Sequence, residues 1–350
     1  MGNIAIGNRK IGIDCPPFIV AEMSGNHNQS LKAALAIVDA AAKSGAHALK
    51  LQTYTADSIT IDIKRREFLI DKKLDLWKGQ SLYDLYEKAS TPWEWHKPIF
   101  DRCRKLGLIC FSSPFDEKAV DQLERMNVPA YKIASFENNH LPLIRRAAST
   151  GKPLIISTGM ATIEEIDEAV RTARKAKCKD IILLKCTSAY PAAAEDANLL
   201  TIPHLRQRFG TEVGLSDHTV GCTVSIAGVA LGATIIEKHF TVSRTKGGVD
   251  AAFSMEPAEM RLLIDETYKT WRALGKVRYG ATKREEASAR LRRSVYVVRD
   301  IRKNEVFSDA NIRIIRPGNG LKPKHYDAVL GRKASRYIKK GTPVGWGLVR

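Results

Sequence analysis

Two histidines occupy matching positions in the second half of the chain. His218 lies near the end of the apolar run Val213–Thr219, His239 lies near the end of the run Ile235–Thr241, and one helix-length segment separates the runs. Neighbouring parallel strands present their carboxyl ends at one edge, so the two imidazoles are expected to lie side by side. Two imidazoles with positions left for water are typical of an open site for a catalytic divalent metal. Either histidine alone is more often structural, so this prediction depends on the elements around them.

The rest of the chain predicts a repeating unit that would position these histidines. Short apolar runs alternate with amphipathic stretches from Phe18 to about Thr270. Eight strand–helix units in about 250 residues predict an α/β fold, namely a (β/α)8 TIM barrel over residues 1–274. The predicted strands are Phe18–Ser24, Ala48–Tyr54, Leu108–Pro114, Ala130–Ser135, Leu154–Met160, Ile181–Tyr190, Val213–Thr219 and Ile235–Thr241. The predicted helices are Leu31–Ser44, Trp93–Leu106, Glu117–Met126, Leu141–Ser149, Ile163–Lys175, Leu199–Phe209, Cys222–Leu231 and Pro257–Leu274.

Polar side chains stand at the end of every predicted strand. Barrel enzymes assemble their chemistry at this end of the strands. Three lysines and several hydroxyls directed at one mouth predict a small, strongly anionic substrate. Two or three of these residues are expected only to cap helices or meet solvent. The residues are Glu22, Lys50, Gln52, Ser112, Ser113, Lys132, Ser135, Ser157, Thr158, Lys185, Thr187, Ser188, Tyr190, Ser216, His218, Glu237 and His239.

The connection after the second predicted strand is unusually long. It runs from about Thr55 to Ser90 and contains the string Leu76–Tyr83. Loops of this length in a compact barrel are usually functional, so it is expected to form a lid or a substrate wall. Among the other histidines, His27 is balanced between lining the site and a structural role, and His96 is expected to be structural.

The periodicity changes after Leu274. Residues 275–291 are predicted to be a basic linker, and residues 292–350 a small β-rich domain. Residues 281–350 carry 18 Lys and Arg against 6 Asp and Glu, which is most of the net charge of +18. Such a module can bind nucleic acid. No pattern of stacking aromatics accompanies the charge, so no nucleic-acid partner is expected.

Composition limits the class of protein. Of the 350 residues, 44% are apolar and 27% charged, as in ordinary globular enzymes. No apolar stretch approaches the roughly 20 residues that span a bilayer, so no membrane partner is expected. The six cysteines form no CxxC pair, which predicts reduced thiols and a cytoplasmic location. Cys186 and Cys222 fall near the predicted site and are expected to be small apolar fillers.

Seven strings at the predicted strand ends follow the order of a known family. They are Ala21–His27, Leu49–Thr53, Ser112–Phe115, Tyr131–Ser135, Ile156–Met160, Gly214–Thr219 and Glu237–Phe240. The chain thereby resembles the sialic acid synthase family, enzymes that condense phosphoenolpyruvate with an amino-sugar aldehyde. Ile315–Leu321 resembles the antifreeze-like (SAF) domain of the same family. The resemblance runs through nearly the whole chain.

The resemblance implies a reaction and a cofactor. A divalent metal, Mn²⁺ or Mg²⁺, would bind His218 and His239, and Glu22 would stabilise positive charge on the enol. Lys132, Ser157, Ser188 and Ser216 would hold the phosphate, and Lys50, Ser113 and Ser135 the carboxylate. Gln52, Tyr190, Glu237 and Asp250 would face the sugar. In this family the small domain reaches across a domain-swapped homodimer, so Arg316 would contact the sugar of the other subunit.

Three strings favour the pseudaminic branch of the family over the neuraminic branch. They are Thr53–Asp57, Trp77–Tyr83 and Thr91–Pro98. Ser188 departs from the neuraminic branch, which carries an asparagine there. The alternatives are a neuraminic or legionaminic acid synthase, a metal-dependent aldolase on the same scaffold, and a glycan- or ice-binding protein with an inert barrel.

Overall fold

Eight parallel strands close into a barrel in the computed structural model, which describes residues 2–70 and 77–350. The final barrel strand pairs with both the first and the seventh, and this places His239 opposite Glu22. The predicted TIM barrel is therefore confirmed. After a short hairpin of strands β1 (Ile4–Ile6) and β2 (Arg9–Ile11), the barrel strands are β3 (Phe18–Glu22), β4 (Ala48–Thr53), β5 (Ile109–Pro114), β6 (Tyr131–Ile133), β7 (Leu154–Ser157), β8 (Ile181–Cys186), β9 (Glu212–Ser216) and β10 (Ile235–His239).

Helices follow the strands and form the outer layer. Three of the predicted helices have the predicted bounds, and the others differ by one or two residues at an end. Thr162 and Glu165 form the predicted capping box at the start of Ile163–Lys175. The helices of the first unit are α1 (Leu31–Ser44), α2 (Ala56–Ile59), α3 (Leu82–Ala89), α4 (Trp93–Lys105), α5 (Glu117–Arg125), α6 (Leu141–Ala148), α7 (Ile163–Lys175), α8 (Thr201–Phe209), α9 (Thr223–Ala230) and α10 (Pro257–Leu274). Within the described residues, no helix is long and apolar enough to cross a membrane.

Seven of the eight strands end earlier than predicted, because the backbone turns out of the ladder at the rim. Ser24 and Met160 have φ of 46° and 64°, a left-handed conformation that cannot continue a strand. Ser135, Ser188, Tyr190 and His218 therefore lie on loops just beyond the strands, whereas Lys50, Lys132 and most other polar rim residues lie within the last residues of the strands.

The hairpin β1–β2 closes the other end of the barrel. Ile4, Ile6 and Ile11 pack in one apolar cluster with Phe18 and Ala48, the first residues of β3 and β4. This hairpin was not predicted, because its strands have three residues each. It plugs the end opposite the polar rim, so the interior opens on the rim side.

A second compact unit spans Lys276–Arg350, after a first unit that spans Met1–Gly275. Its strands β11 (Ser294–Val297) and β12 (Ile312–Ile315) pair antiparallel, and single bridges such as Ile301–Ile338 extend the pairing. Val295, Phe307 and Val344 belong to its buried core. The segment predicted as a linker contains the 3₁₀ turn Lys283–Glu285 and helix α11 (Glu286–Ala289), and helix α12 (Tyr326–Val329) follows β12.

Candidate active site

A cavity of about 300 Å³ opens at the carboxyl ends of the barrel strands. Every barrel strand except β3 and β5 contributes a polar predicted site residue to its wall, directly or from the loop that follows the strand. Eleven predicted site residues meet there. They are Lys50, Gln52, Lys132, Ser135, Ser157, Tyr190, Ser216, His218, Glu237, His239 and Asp250.

Two buried lysines alternate with two buried carboxylates at the floor of the cavity, which Lys50, Lys132 and Glu237 line and Glu22 contacts through Lys50. Lys50 forms an ion pair with Glu22, and its Nζ lies 3.9 Å from Oε1 of Glu237. Lys132 Nζ lies 3.4 Å from the same Glu237 oxygen. All four side chains are at most 7% exposed. Burying an isolated charge at this depth would cost much free energy. In the unliganded protein, the pairing of each lysine with a carboxylate offsets this cost.

Burial and pairing set the charge states on this floor. Burial would raise the pKa of Glu237, but Lys132 and Lys50 outweigh burial and hold that pKa below its usual range. Burial raises the pKa of Glu22, against the opposing effect of Lys50. Burial would lower the pKa of Lys50, yet Glu22 and Glu237 outweigh it and raise that pKa. Burial lowers the pKa of Lys132. Lys50 is thus held as a cation, and an incoming anion would favour the charged form of Lys132.

Glu22 and Lys50 are also oriented by neutral neighbours. The side-chain amide of Gln52 donates a hydrogen bond to Glu22 Oε1 at 3.1 Å, and the Ser24 backbone N–H donates to the same oxygen. Lys50 Nζ donates to Ser113 Oγ at 3.2 Å. Glu22 and Ser113 therefore touch the site through Lys50, although neither belongs to the cavity wall.

The two predicted histidines lie together, with ring centroids 5.3 Å apart. His218 Nδ1 lies 2.8 Å from the Thr187 carbonyl oxygen, which can only accept, so Nδ1 carries the proton. Nε2 is left as the available nitrogen of His218. Burial, with a smaller effect of His218, lowers the pKa of His239 well below its usual value, so His239 is neutral. Its Nδ1 is buried without a hydrogen-bond partner among the described residues and lies 3.7 Å from Oδ2 of Asp250.

This donor set fits a divalent metal ion. Divalent transition-metal ions bind imidazole nitrogen. A histidine ligand usually donates a hydrogen bond from its other ring nitrogen to a carbonyl oxygen or a carboxylate, which fixes its tautomer and ring orientation. Contact with Cys186 outweighs burial and raises the pKa of His218, so a metal would compete with a proton for Nε2. In the part of the chain that the structure describes, no three His, Cys, Asp or Glu side chains form a ready-made cage. Two protein ligands would leave positions for water and substrate.

Hydroxyl groups surround Gly159 beside Lys132. The Gly159 backbone N–H donates to Ser135 Oγ at 3.2 Å. A Cβ at position 159 would overlap the Ser188 hydroxyl and lie 2.6 Å from the Ser135 hydroxyl, so only glycine fits. Ser157 Oγ is buried, and residues 2–70 and 77–350 offer it no hydrogen-bond partner. Oriented hydroxyls next to a buried lysine suit an oxyanion such as a phosphate or carboxylate.

Lys185 of the predicted rim, together with His27 and His96, makes contacts outside the cavity. Lys185 was expected at the mouth, but its Nζ donates to the Cys186 carbonyl at 3.1 Å and to Thr187 Oγ1 at 2.9 Å. His27 does not line the cavity either. Its Nε2 lies 3.2 Å from Thr91 Oγ1, and burial lowers its pKa to about 4. His96 is structural, as predicted, with Nε2 2.8 Å from Thr53 Oγ1.

Some cavity residues were not singled out from the sequence. Tyr54, Phe115 and Tyr86 form an aromatic group, with the Tyr54 ring centroid 4.9 Å from Phe115 and 5.9 Å from Tyr86. Glu137 lines the cavity, its Oε2 is buried without a partner, and burial raises its pKa to about 7. Cys186 is buried as predicted, but it lies in the cavity wall. Tyr54 and Glu137 lie one and four residues beyond strand ends, which is the only signal the sequence offered.

The long connection after β4 forms a wall of the cavity, as predicted. Of the string Leu76–Tyr83, Leu76 lies outside the described residues, and Trp77 and Leu82 line the cavity. The Trp77 indole N–H donates to the Val249 carbonyl at 3.0 Å. Arg316 lies in the second unit, and its predicted contact with a partner's sugar stays a prediction.

Asp217, next to His218, is predicted to act on stability and not on chemistry. It accepts hydrogen bonds from the Thr219 and Ser225 hydroxyls at 2.7 Å and 2.6 Å, and lies 3.2 Å from Lys238 Nζ. Asp217→Ala leaves a buried lysine unpaired, so we expect the free energy of unfolding to fall by about 3–5 kcal/mol. Urea unfolding measures this loss. Asp121→Ala, which breaks the exposed pair with Arg146, is the matched control and should cost at most about 1 kcal/mol. Equal losses would contradict the assignment.

Comparison of the chain with known proteins identifies its family and several relatives. Residues 37–279 match the NeuB family and residues 292–350 match the SAF domain. The chain is 44% identical to the pseudaminic acid synthase of Campylobacter jejuni subsp. jejuni serotype O:23/36 (strain 81-176), over 96% of this chain and 97% of that one. It is 44% identical to the pseudaminic acid synthase of Helicobacter pylori (strain ATCC 700392 / 26695), over 94% and 96%.

A solved structure extends the likeness to three dimensions. The N-acetylneuraminic acid (sialic acid) synthetase from Leptospira borgpetersenii serovar Hardjo-bovis, in complex with citrate, superposes with a TM-score of 0.72. It is 34% identical in sequence, and the match covers 82% of this chain and 94% of that chain.

Proposed function

Because the chain belongs to the NeuB family, we propose that it condenses phosphoenolpyruvate with 2,4-diacetamido-2,4,6-trideoxy-L-altrose, giving pseudaminic acid and phosphate. One observation supports the reaction class above the others. A single cavity holds two buried lysines and a group of hydroxyls beside a pair of imidazoles. A doubly anionic small substrate and a carbonyl partner need these two sets of groups side by side. Similarity to two pseudaminic acid synthases supports the choice of sugar.

The anionic substrate is proposed to occupy the lysine side of the cavity. Lys132, Ser157, Ser188 and Ser216 would hold the phosphate, and Lys50, Ser113 and Ser135 the carboxylate. The partnerless Ser157 hydroxyl supports this assignment, because a substrate oxygen would satisfy it. Ser216 Oγ donates to Glu237 Oε1 at 3.1 Å and would have to turn toward the phosphate. Lysine supplies charge and the hydroxyls supply direction, which together orient the enol for attack.

Carbon–carbon bond formation is proposed to begin at C3 of the enol. C3 attacks the aldehyde carbon of the sugar, and positive charge develops at C2. The Glu22 carboxylate, held by Gln52 and Lys50, would stabilise that charge. Water then adds to C2, and the bond between C2 and the phosphate oxygen breaks. One proton of the water ends on the new hydroxyl, the other leaves with the phosphate, and C2 becomes a ketone.

His218 and His239 are proposed to hold a divalent metal, Mn²⁺ or Mg²⁺. Bound there, the ion would act as a Lewis acid on the aldehyde oxygen. The Thr187 carbonyl keeps His218 in the tautomer that leaves Nε2 available. Gln52, Tyr190, Glu237 and Asp250 would face the sugar. Asp250 is held by a hydrogen bond from Ser24 Oγ, so its carboxylate is already oriented.

A domain-swapped homodimer, in which Arg316 reaches the partner's barrel, is a further part of the proposal. It predicts complementation between two inactive variants, Arg316→Ala and His218→Ala. In a mixed dimer one barrel would combine an intact His218 with an intact Arg316, so co-expression should restore measurable activity. Each variant alone is the control. Sites completed within one chain would give no activity in the mixture. A cytoplasmic location is proposed as well, in keeping with six unpaired cysteines.

Phosphate release from phosphoenolpyruvate with Mn²⁺ tests the proposed function. The altrose sugar and N-acetylmannosamine are offered in parallel, each with and without chelator. We expect release with the altrose sugar alone, lost on chelation. Release with N-acetylmannosamine alone would instead place the chain in the neuraminic branch. An aldolase would release no phosphate, and a binding protein would turn over neither sugar.

A further inference from the structure

The cavity has two walls of opposite chemistry. The strand ends supply the charged floor, which includes Lys50, Lys132, Glu237 and His239. The connection between β4 and α4 supplies a wall of five side chains that contain no polar atom. This apolar wall consists of Ile59, Ile70, Leu82, Leu85 and Ala89.

The apolar wall is held by hydrogen bonds within its own connection and by one residue of the loop after β3. Ser81 caps α3 by accepting from the Asp84 N–H at 3.0 Å. The backbone of Ile70 donates to the Gln80 carbonyl, which closes the connection on itself. Gln29, from the loop after β3, donates its side-chain amide to the carbonyls of Lys88 and Ser90 at 2.9 Å and 2.8 Å. A wall held in this way presents its apolar face before substrate arrives.

The apolar wall and the imidazole pair are carried by separate parts of the cavity. The rings nearest the histidines are Tyr190, 4.5 Å from His218 between centroids, and Phe253, 4.9 Å from His239. The rings on the side of the wall are Tyr54 and Tyr86, of which Tyr86 belongs to α3 itself. Because the wall residues and the histidines line the same cavity, we infer that a sugar whose aldehyde is at the histidines extends its far end toward the wall.

We propose that the apolar wall is the subsite for the far end of the sugar, and that it selects a C6 methyl group over a C6 hydroxymethyl group. This inference rests on the proposed function and adds the residues that set the choice of sugar. A C6 hydroxyl directed at the wall would lose its water and meet no donor or acceptor on the five side chains. A methyl group makes no hydrogen bonds to water that burial would break, and it gains apolar contact with the wall.

The size of the discrimination is limited by the physics of such pockets. An apolar pocket rejects an added hydroxyl by about 10²-fold in kcat/KM at most. A polar side chain placed in the wall would give the hydroxyl a partner and remove much of that difference. Leu85→Gln is the sharpest change, because Leu85 is buried, lines the cavity and differs little from glutamine in volume. Ile59→Thr, at a half-buried position, is a milder second variant.

The experiment compares two sugars and three variants. Wild type, Leu85→Gln, Ile59→Thr and the control Leu262→Gln, on the exposed face of α10, are assayed for phosphate release. The sugars are 2,4-diacetamido-2,4,6-trideoxy-L-altrose and its 6-hydroxy analogue. We expect wild type and Leu262→Gln to prefer the 6-deoxy sugar by about 10-fold to 10²-fold in kcat/KM. Leu85→Gln should reduce that preference about tenfold and Ile59→Thr by a smaller factor, each with a lower kcat/KM for the 6-deoxy sugar.

The outcomes separate this inference from the proposed function. Wild-type turnover of the altrose sugar, with no preference between the two sugars, would overturn the subsite and leave the function standing. A preference that persists in Ile59→Thr and in a folded Leu85→Gln variant would overturn it equally. No wild-type turnover of the altrose sugar would overturn the proposed function, and the subsite with it.

Discussion

His239→Ala is expected to reduce kcat/KM by at least about 10³-fold, because a metal ligand carries several kcal/mol of transition-state stabilisation. The residue sits at the end of β10, opposite Glu22, with its Nδ1 buried and without a partner. Alanine would leave His218 as one remaining imidazole, which is too few protein ligands to hold a divalent ion at the working concentration.

Direct metal binding separates this effect from a general loss of structure. Isothermal titration with Mn²⁺ should show binding to the wild type and none to His239→Ala or His218→Ala. His204→Ala, which removes an exposed histidine from α8, is the matched control and should bind Mn²⁺ normally. Unchanged Mn²⁺ affinity in His239→Ala would show that the histidine pair is not the metal site.

Glu22→Gln is expected to lower kcat by about 10²–10³-fold, the usual cost of losing one preorganised electrostatic contact to a transition state. Glutamine keeps the shape and can still meet Gln52, but it lacks the negative charge that opposes positive charge at C2. Lys50 would not be left alone, because Glu237 lies 3.9 Å from its Nζ. The fold should therefore survive the change.

Steady-state kinetics with both substrates, together with a melting curve, measure this effect. We expect kcat to fall while the KM for phosphoenolpyruvate changes little, because Glu22 is not assigned to hold the anion. Glu22→Asp retains the charge and should recover part of the rate. A Gln variant with kcat within threefold of wild type would remove Glu22 from the proposed chemistry.

Periodicity was sufficient to predict the barrel but not where its strands end. All eight strands were found because each is a short apolar run between helices of clear period. Seven of the eight ends were placed too late; after β3 and β7, Ser24 and Met160 take left-handed conformations that composition does not reveal. The hairpin β1–β2 was missed because three-residue strands carry too little pattern to distinguish them from a loop.

Side-chain direction explains which site residues the sequence placed correctly. Lys50 and Lys132 were predicted at the mouth and point into it, whereas Lys185 turns to Thr187. All three are lysines at strand ends, so only the fold distinguishes them. Glu137 is the reverse case, a residue that lines the cavity but was not predicted. Its carboxyl is carried on a 3₁₀ turn, and no sequence motif marks it.

The buried charges of the floor also argue against the alternative of a binding protein with an inert barrel. Lys132 and Lys50 are 2% and 3% exposed, and both are balanced by carboxylates of the same floor. Replacing such a buried network with apolar side chains would often stabilise the fold. A floor of this kind is readily accounted for by an anionic substrate that completes it.

One competition assay tests the central claim most directly. The protein, Mn²⁺ and limiting phosphoenolpyruvate are mixed with equal concentrations of the altrose sugar and N-acetylmannosamine, and the product is identified by mass and NMR. The proposal predicts pseudaminic acid as the main product, with one phosphate released per molecule formed. N-acetylneuraminic acid as the main product, or no condensation product at all, would contradict it.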